Sequence, residues 1–201
     1  MRLLHFLYAA ILGVSLTALS ACTTAPPGVQ PLVYSQQYHS NVSTIVWPAA
    51  AARASEKDLT APDFRWRDSS GALDSLSNHR GQTVLVNFWA TWCNPCTGEM
   101  PDLQSVQKTM GDSLYIIGVS DDNSGNTFNT VQSFISQNKY SYQFALDSEF
   151  MLYEKYFPDF TDFAIPQSCF IDPAGNLVFT VTGAMGNDAT VLTFARKAAA
   201  E

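Results

Sequence analysis

Two cysteines, Cys93 and Cys96, stand two residues apart in the stretch VLVNFWATWCNPCTGEMP. Thiols one helical turn apart can close a disulfide or open to a dithiol, so the chemistry within reach is thiol-disulfide exchange. The run before them, VLVNFW, is apolar, unbroken and too short for a good helix, while a helical pattern follows directly. A buried strand thus delivers two thiols to a helix start. There the exposed backbone N–H groups and the positive end of the helix dipole favour a thiolate on Cys93. The residues also admit a blander reading, an inert structural disulfide.

Around that stretch the periodicity alternates between strand and helix. The pattern predicts a strand at residues 83–89, a helix at 94–109 with Met100, Leu103, Val106 and Met110 near one face, and a second buried strand at 114–119. Phe128, Val131, Phe134 and Ile135 mark an amphipathic helix, residues 144–146 a short strand, and 150–156 a helical stretch ended at Phe157-Pro158. Residues 168–171 and 177–181 flank the turn DPAGN and read as a hairpin. Asp188 is placed to cap a last helix that buries Val191, Leu192 and Ala195. Upstream, Phe64 and Trp66 alternate with Arg65 and Arg67 as in a half-exposed strand, and a turn at DSSG leads to Leu73 and Leu76, both expected to pack inward. His79 is expected on a surface loop. Strands alternating with helices and closing in a hairpin predict an α/β sandwich around a mixed sheet.

The chain has 201 residues, 46% of them hydrophobic and 14% charged, which provides for one packed core and excludes a wholly disordered protein. Its net charge is −7, and the basic residues Arg53, Arg65, Arg67, Arg80, Lys108 and Lys139 are scattered, which argues against a nucleic-acid partner. The four cysteines lack a second CxxC, and His5, His39 and His79 sit at no zinc-ligand spacing, so no metal site is expected. The acidic loop SDDNSGN at 120–126 lacks the order and distal Glu of an EF-hand loop and reads as ordinary solvated loop.

Residues 1–21 begin with Arg2, run apolar through LLHFLYAAILGVSLTALSA and have the layout of a signal peptide, although an uncleaved membrane anchor fits on length. Leu19, Ser20, Ala21 and Cys22 resemble a bacterial lipobox, in which Cys22 becomes the lipidated first residue. Residues 22–60, rich in Pro, Thr and Ser, then read as a lipidated tether and arm, with Tyr34, Tyr38 and Trp47 packing onto the domain rather than onto a partner. Thr23, where Asp would retain an enteric-type lipoprotein at the inner membrane, favours the outer membrane. The domain would face an extracytoplasmic compartment, the periplasm, which permits disulfides.

With APDF at 61–64, LVNFWATWCNPC and the Ile165-Pro166 step before a hairpin, residues 61–201 resemble the TlpA/ResA class of membrane-anchored thiol-disulfide oxidoreductases. The resemblance implies a thioredoxin-like fold: a mixed central sheet flanked by helices, with an N-terminal β-hairpin and a β/α insertion. It makes Cys93 the nucleophile, partly exposed, and Cys96 the residue that resolves the mixed disulfide. Pro166 becomes a cis-proline facing the pair, and Ile165 offers its backbone to an extended substrate peptide. Trp92, Asn94 and Pro95 complete the substrate surface, with Asn94 and Pro95 helping to set redox poise.

Thioredoxins proper carry a buried aspartate on the strand before the CxxC. Here Asn87, which cannot titrate, stands there, and CxxCxxExP resembles the class in which a glutamate, Glu99, tunes the thiols; the other reading is a surface glutamate at a helix start. Pro101 is expected to kink the helix. Thr97 and Gly98 stand where a basic residue is frequent in relatives, and Cys169 is expected to be a small buried hydrophobe. The implied partners are protein disulfides, of apocytochrome or other exported proteins, and a membrane electron donor. No cofactor beyond the Cys93–Cys96 couple is implied. Reduction is favoured over oxidation. Other readings are a disulfide oxidase or isomerase, a peroxiredoxin-like peroxidase, for which Ala90 stands where Thr is typical, or a metal-binding module of the same fold.

Overall fold

The computed structural model describes residues 42–44, 60–68, 71–123, 127–147, 149–158 and 163–201, all within a unit spanning residues 34–201. Residues 1–21, expected to be a signal peptide, together with Cys22, Tyr34, Tyr38, Trp47 and part of the acidic loop, lie outside the described residues.

Strand β4 (Thr83–Trp89) is buried at all seven positions, as its unbroken apolar run requires of a strand covered on both faces. It lies near the centre of a six-stranded sheet with β1 (Val42–Thr44), β5 (Leu114–Ser120), β6 (Gln143–Leu146), β7 (Gln167–Ile171) and β8 (Leu177–Thr182), in the order β1-β6-β5-β4-β7-β8. The first four strands in that order are parallel, and β7 pairs antiparallel with both β4 and β8, so the sheet is mixed. Strands β2 (Arg65–Arg67) and β3 (Leu73–Ser75) form a separate antiparallel hairpin near the N-terminus of the domain.

Alternation along β4 divides the core in two. Leu85 and Trp89 face α1 (Asn94–Met110), α2 (Thr127–Asn138) and α4 (Asp188–Ala198), and the disulfide sits in that layer. Val84, Val86 and Phe88 face α3 (Met151–Tyr156) and the hairpin residues Phe64, Trp66 and Leu76. Each fully buried Leu or Phe in these layers contributes roughly 1.5–3 kcal/mol. Gly118 on β5 shows how close the packing is, because a Cβ there would meet Phe144 at 2.8 Å.

Four local expectations are corrected. Leu73 is 47% exposed, since at the hairpin edge it points away from the core that takes Leu76. His79 does not project from a loop: it ends a 3-10 turn (Leu76–His79) and is half-buried, stacked on Tyr115 with centroids 3.7 Å apart and paired with Asp74 at 2.9 Å. Asn187, not Asp188, caps α4, its Oδ1 accepting the Thr190 N–H at 3.0 Å, because the helix begins one residue earlier than the pattern indicates. The start of the acidic loop is not solvated. Asp121 and Asp122 are buried, as is Asp147, whose carboxylate accepts the N–H groups of Met151, Leu152 and Tyr153 at the start of α3.

Candidate active site

The turn that ends β4 closes with the Cys93 N–H donating to the Ala90 carbonyl at 3.1 Å, and Cys93 then becomes the N-cap of α1 in extended conformation. In that position its Sγ accepts the backbone N–H of Cys96 at 3.3 Å. An unpaired N–H of the first helical turn thus points at the sulfur on which a thiolate would form. Pro95 falls in the same turn, where its missing N–H removes no helical bond. Thr97 and Gly98 bring no positive charge, so this dipolar contact is the stabilisation seen at the sulfur.

Cys93 and Cys96 are joined in a disulfide, with Cα atoms 5.3 Å apart. Cys96 is fully buried and Cys93 retains 6% of its surface, less exposure than expected and still the greater of the two. The rim is formed by Trp92, 60% exposed, and by the exposed Asn94 and Pro95. On its far side the Ile165–Pro166 peptide bond is cis, and the Ile165 carbonyl oxygen lies 3.7 Å from Cys93 Sγ. The Pro166 carbonyl accepts the Gly183 N–H at 2.8 Å, which ties this wall to the end of β8.

Beneath the disulfide, Glu99 is 3% exposed, which removes the surface-glutamate reading. The Asn87 amide donates to Glu99 Oε1 at 2.9 Å, and the Met185 backbone N–H donates to Oε2 at 3.0 Å. Burial pushes the carboxyl above its ordinary range. The Met185 and Asn87 hydrogen bonds pull it partly back, and the nearby Asp102 charge adds to the rise. Asn87 also donates to Ser168 Oγ at 3.0 Å, across the β4–β7 register that pairs the two residues. The position that lost its acid therefore supplies the amide that holds the acid on the helix.

Ser168 and Met185 had escaped the sequence reading. Ser168 is found only through a strand pairing across 81 positions, and Met185 contributes a backbone group that leaves no side-chain signal. Helix α1 continues through Pro101 to Met110, with Pro101 exposed. Cys169 is fully buried opposite Val86 in the other core layer, where burial pushes its thiol up, so it does not join the pair. Among the described residues no group of His, Cys, Asp and Glu side chains is arranged to hold a metal ion.

Residues 58–180 match the model of the AhpC/TSA family. The sporulation thiol-disulfide oxidoreductase A of Bacillus subtilis is 32% identical over 143 residues, a match that covers 70% of this chain and 84% of that protein. The thioredoxin-like protein YneN of B. subtilis is 47% identical over 60 residues, 30% of this chain and 35% of that protein. The crystal structure of StoA from B. subtilis superposes with a TM-score of 0.57 at 28% identity, covering 68% of this chain and 98% of StoA. That of the exposed lipoprotein thioredoxin of Streptococcus pneumoniae gives 0.57 at 25%, covering 67% and 98%. A helix-capping CxxC disulfide on a thioredoxin-like sheet and these matches together show that the chain belongs to the AhpC/TSA family, among the thiol-disulfide oxidoreductases of the ResA/StoA type.

Proposed function

We propose that this oxidoreductase is a lipid-anchored extracytoplasmic reductase of protein disulfides. The reading rests first on the Cys93 sulfur, which combines a backbone N–H donor, a narrow opening to solvent and a neighbouring peptide carbonyl at Ile165. In the dithiol form, Cys93 thiolate attacks one sulfur of a substrate disulfide; the other sulfur leaves as a thiolate and takes a proton. A mixed disulfide with Cys93 results. Cys96 then loses its proton and attacks Cys93 Sγ, which closes the Cys93–Cys96 disulfide and releases the second substrate thiol. A dithiol donor at the membrane returns two electrons to the pair. Trp92, Asn94, Pro95 and cis-Pro166 frame the opening, and the Ile165 backbone adds a strand-like contact to an extended substrate chain.

Glu99 is the group assigned to the Cys96 proton. Its raised pKa suits proton exchange with a thiol, and three residues beyond Cys96 on α1 it shares that residue's helix face. The anchoring part of the reading rests on residues 1–22: an apolar segment, small residues and then Cys22, followed by the tether of residues 23–60. The S. pneumoniae protein of similar fold is named an exposed lipoprotein. Thr23 favours the outer membrane.

Direction is tested by equilibrating the protein with glutathione redox buffers. A potential near the about −270 mV of thioredoxin is expected, and one near the about −120 mV of a strong oxidant overturns the reductase assignment. Metabolic labelling with palmitate, compared between the natural chain and Cys22→Ser, tests the anchor. Label lost in the variant supports it, and label absent from both removes it.

A further inference from the structure

The residue after the buried Asp121 is tied to the active-site turn by two hydrogen bonds. Asp122, 5% exposed at the end of β5, accepts the Thr91 backbone N–H on Oδ2 at 2.9 Å and the Thr91 hydroxyl on Oδ1 at 2.6 Å. Ser120 Oγ donates to the same Oδ2 at 2.7 Å and accepts the Asp122 N–H at 3.3 Å, which holds the carboxylate in orientation. Next to it, the Asp121 N–H donates to the Trp89 carbonyl at 2.8 Å. Thr91 lies within the turn of residues 90–93 that presents Cys93. A charged acceptor from the neighbouring strand therefore grips the turn two residues before the nucleophile.

We propose that Asp122 is a positioning residue for disulfide exchange, holding the turn of residues 90–93 in the geometry from which the Cys93–Cys96 disulfide closes. The inference rests on the reading of this pair as the exchanging couple. In the oxidised protein the covalent bond already restrains Cys93. In the dithiol the clamp on Thr91 is what keeps Cys93 over the Cys96 N–H, so that ring closure has little ordering entropy left to overcome. Charge-assisted hydrogen bonds to a buried carboxylate are strong enough for this, and cutting them leaves the Thr91 N–H and hydroxyl without their acceptor in a half-buried position. Without the clamp the dithiol gains freedom that the disulfide cannot gain, and the balance moves toward the reduced form.

The test uses the purified full chain in glutathione buffers, reading the equilibrium in which protein disulfide and two glutathione thiols give protein dithiol and one glutathione disulfide. Asp122→Ala is expected to shift this equilibrium toward the dithiol by about tenfold, which for a two-electron couple is about 30 mV. Thr91→Val, which removes the hydroxyl donor and keeps the N–H, should shift it less and in the same direction. Thr91→Ser, which retains both donors, should restore the natural value. A purely structural Asp122 would weaken the oxidised and reduced folds equally and leave the equilibrium constant unmoved, whereas the clamp requires the oxidised form to lose more stability in denaturant. Equal losses with an unchanged constant overturn the proposal, and so does a Thr91→Ser variant displaced as far as Thr91→Val. Should Asp122→Ala fail to fold, the two Thr91 variants carry the same test. A natural chain that never equilibrates with glutathione overturns the exchange reading itself, and this inference with it.

Discussion

Cys96→Ala is expected to convert the protein into a trap that accumulates as a mixed disulfide between Cys93 and its substrate, with turnover reduced below detection. The expectation follows from exposure. Among the described cysteines only Cys93 reaches the surface; Cys96 has no exposed area, and Cys169 lies in the other core layer across the sheet. Attack must therefore begin at Cys93, and without Cys96 nothing inside the protein can displace the bound partner. Cys93→Ala should abolish both turnover and trapping. Non-reducing gels of cells producing each variant, with the trapped bands identified by mass spectrometry, measure both effects. A trap formed by Cys93→Ala and not by Cys96→Ala would reverse the two roles. Removing either member of a couple that acts as a unit eliminates the reaction, so no partial activity is expected from the single variants.

Glu99→Gln should lower the rate of disulfide reduction at neutral pH by about a hundredfold, within the span that a positioned acid or base supplies. Burial is the first cause of the raised carboxyl pKa, and the Met185 and Asn87 hydrogen bonds offset it only in part. Glutamine keeps an oxygen for the Asn87 amide but cannot accept from Met185 with its nitrogen or carry a proton near neutrality. The natural protein should therefore show a pH-dependent limb above the ordinary glutamate range that the variant lacks. Stability offers an independent check with a fixed sign. Between the ordinary value of 4.5 and the raised folded value, the unfolded chain has lost a proton that the folded chain keeps, so the stability of the fold (the free energy of unfolding) falls as pH rises through that window. Urea midpoints of the two proteins should diverge there, the natural chain losing stability relative to Glu99→Gln. Parallel midpoints across the window, or a pH–rate profile shared by both proteins, would count against Glu99 as the titrating group.

The parts of the site carried by local pattern were readable from the chain alone. An unbroken apolar run with a CxxC behind it can hardly be other than a covered strand running into a helix cap, and the structure matches both bounds of β4. Asn87 and Glu99 were legible as a missing acid and a displaced one, because both lie on elements whose faces the periodicity defines. What joins them was not legible. The amide of Asn87 serves Glu99 from 12 positions away, Ser168 from 81, and the N–H of Met185 reaches Glu99 across 86.

The acidic loop misled for a related reason. Asp and Asn in succession read as solvated because carboxylates are costly to bury, yet Asp122 and Asp147 are each buried against donors that offset the cost, Thr91 and Ser120 for one and the start of α3 for the other. His79 shows the same limit, since the rings that enclose it, Trp66 and Tyr115, come from two different strands. In each instance a residue's own type indicated exposure and its distant partners reversed it.

The central claim is that Cys93 is the activated thiol of a redox couple. It is tested most directly by reducing the full chain, treating it with limiting iodoacetamide across a pH series and mapping the modified peptides by mass. Cys93 should be labelled first, with a rate that titrates below the about 8.5 of a free thiol, while Cys96 and Cys169 stay protected until the protein unfolds. Labelling of Cys96 ahead of Cys93, or a Cys93 rate that titrates at the free-thiol value, would contradict the account.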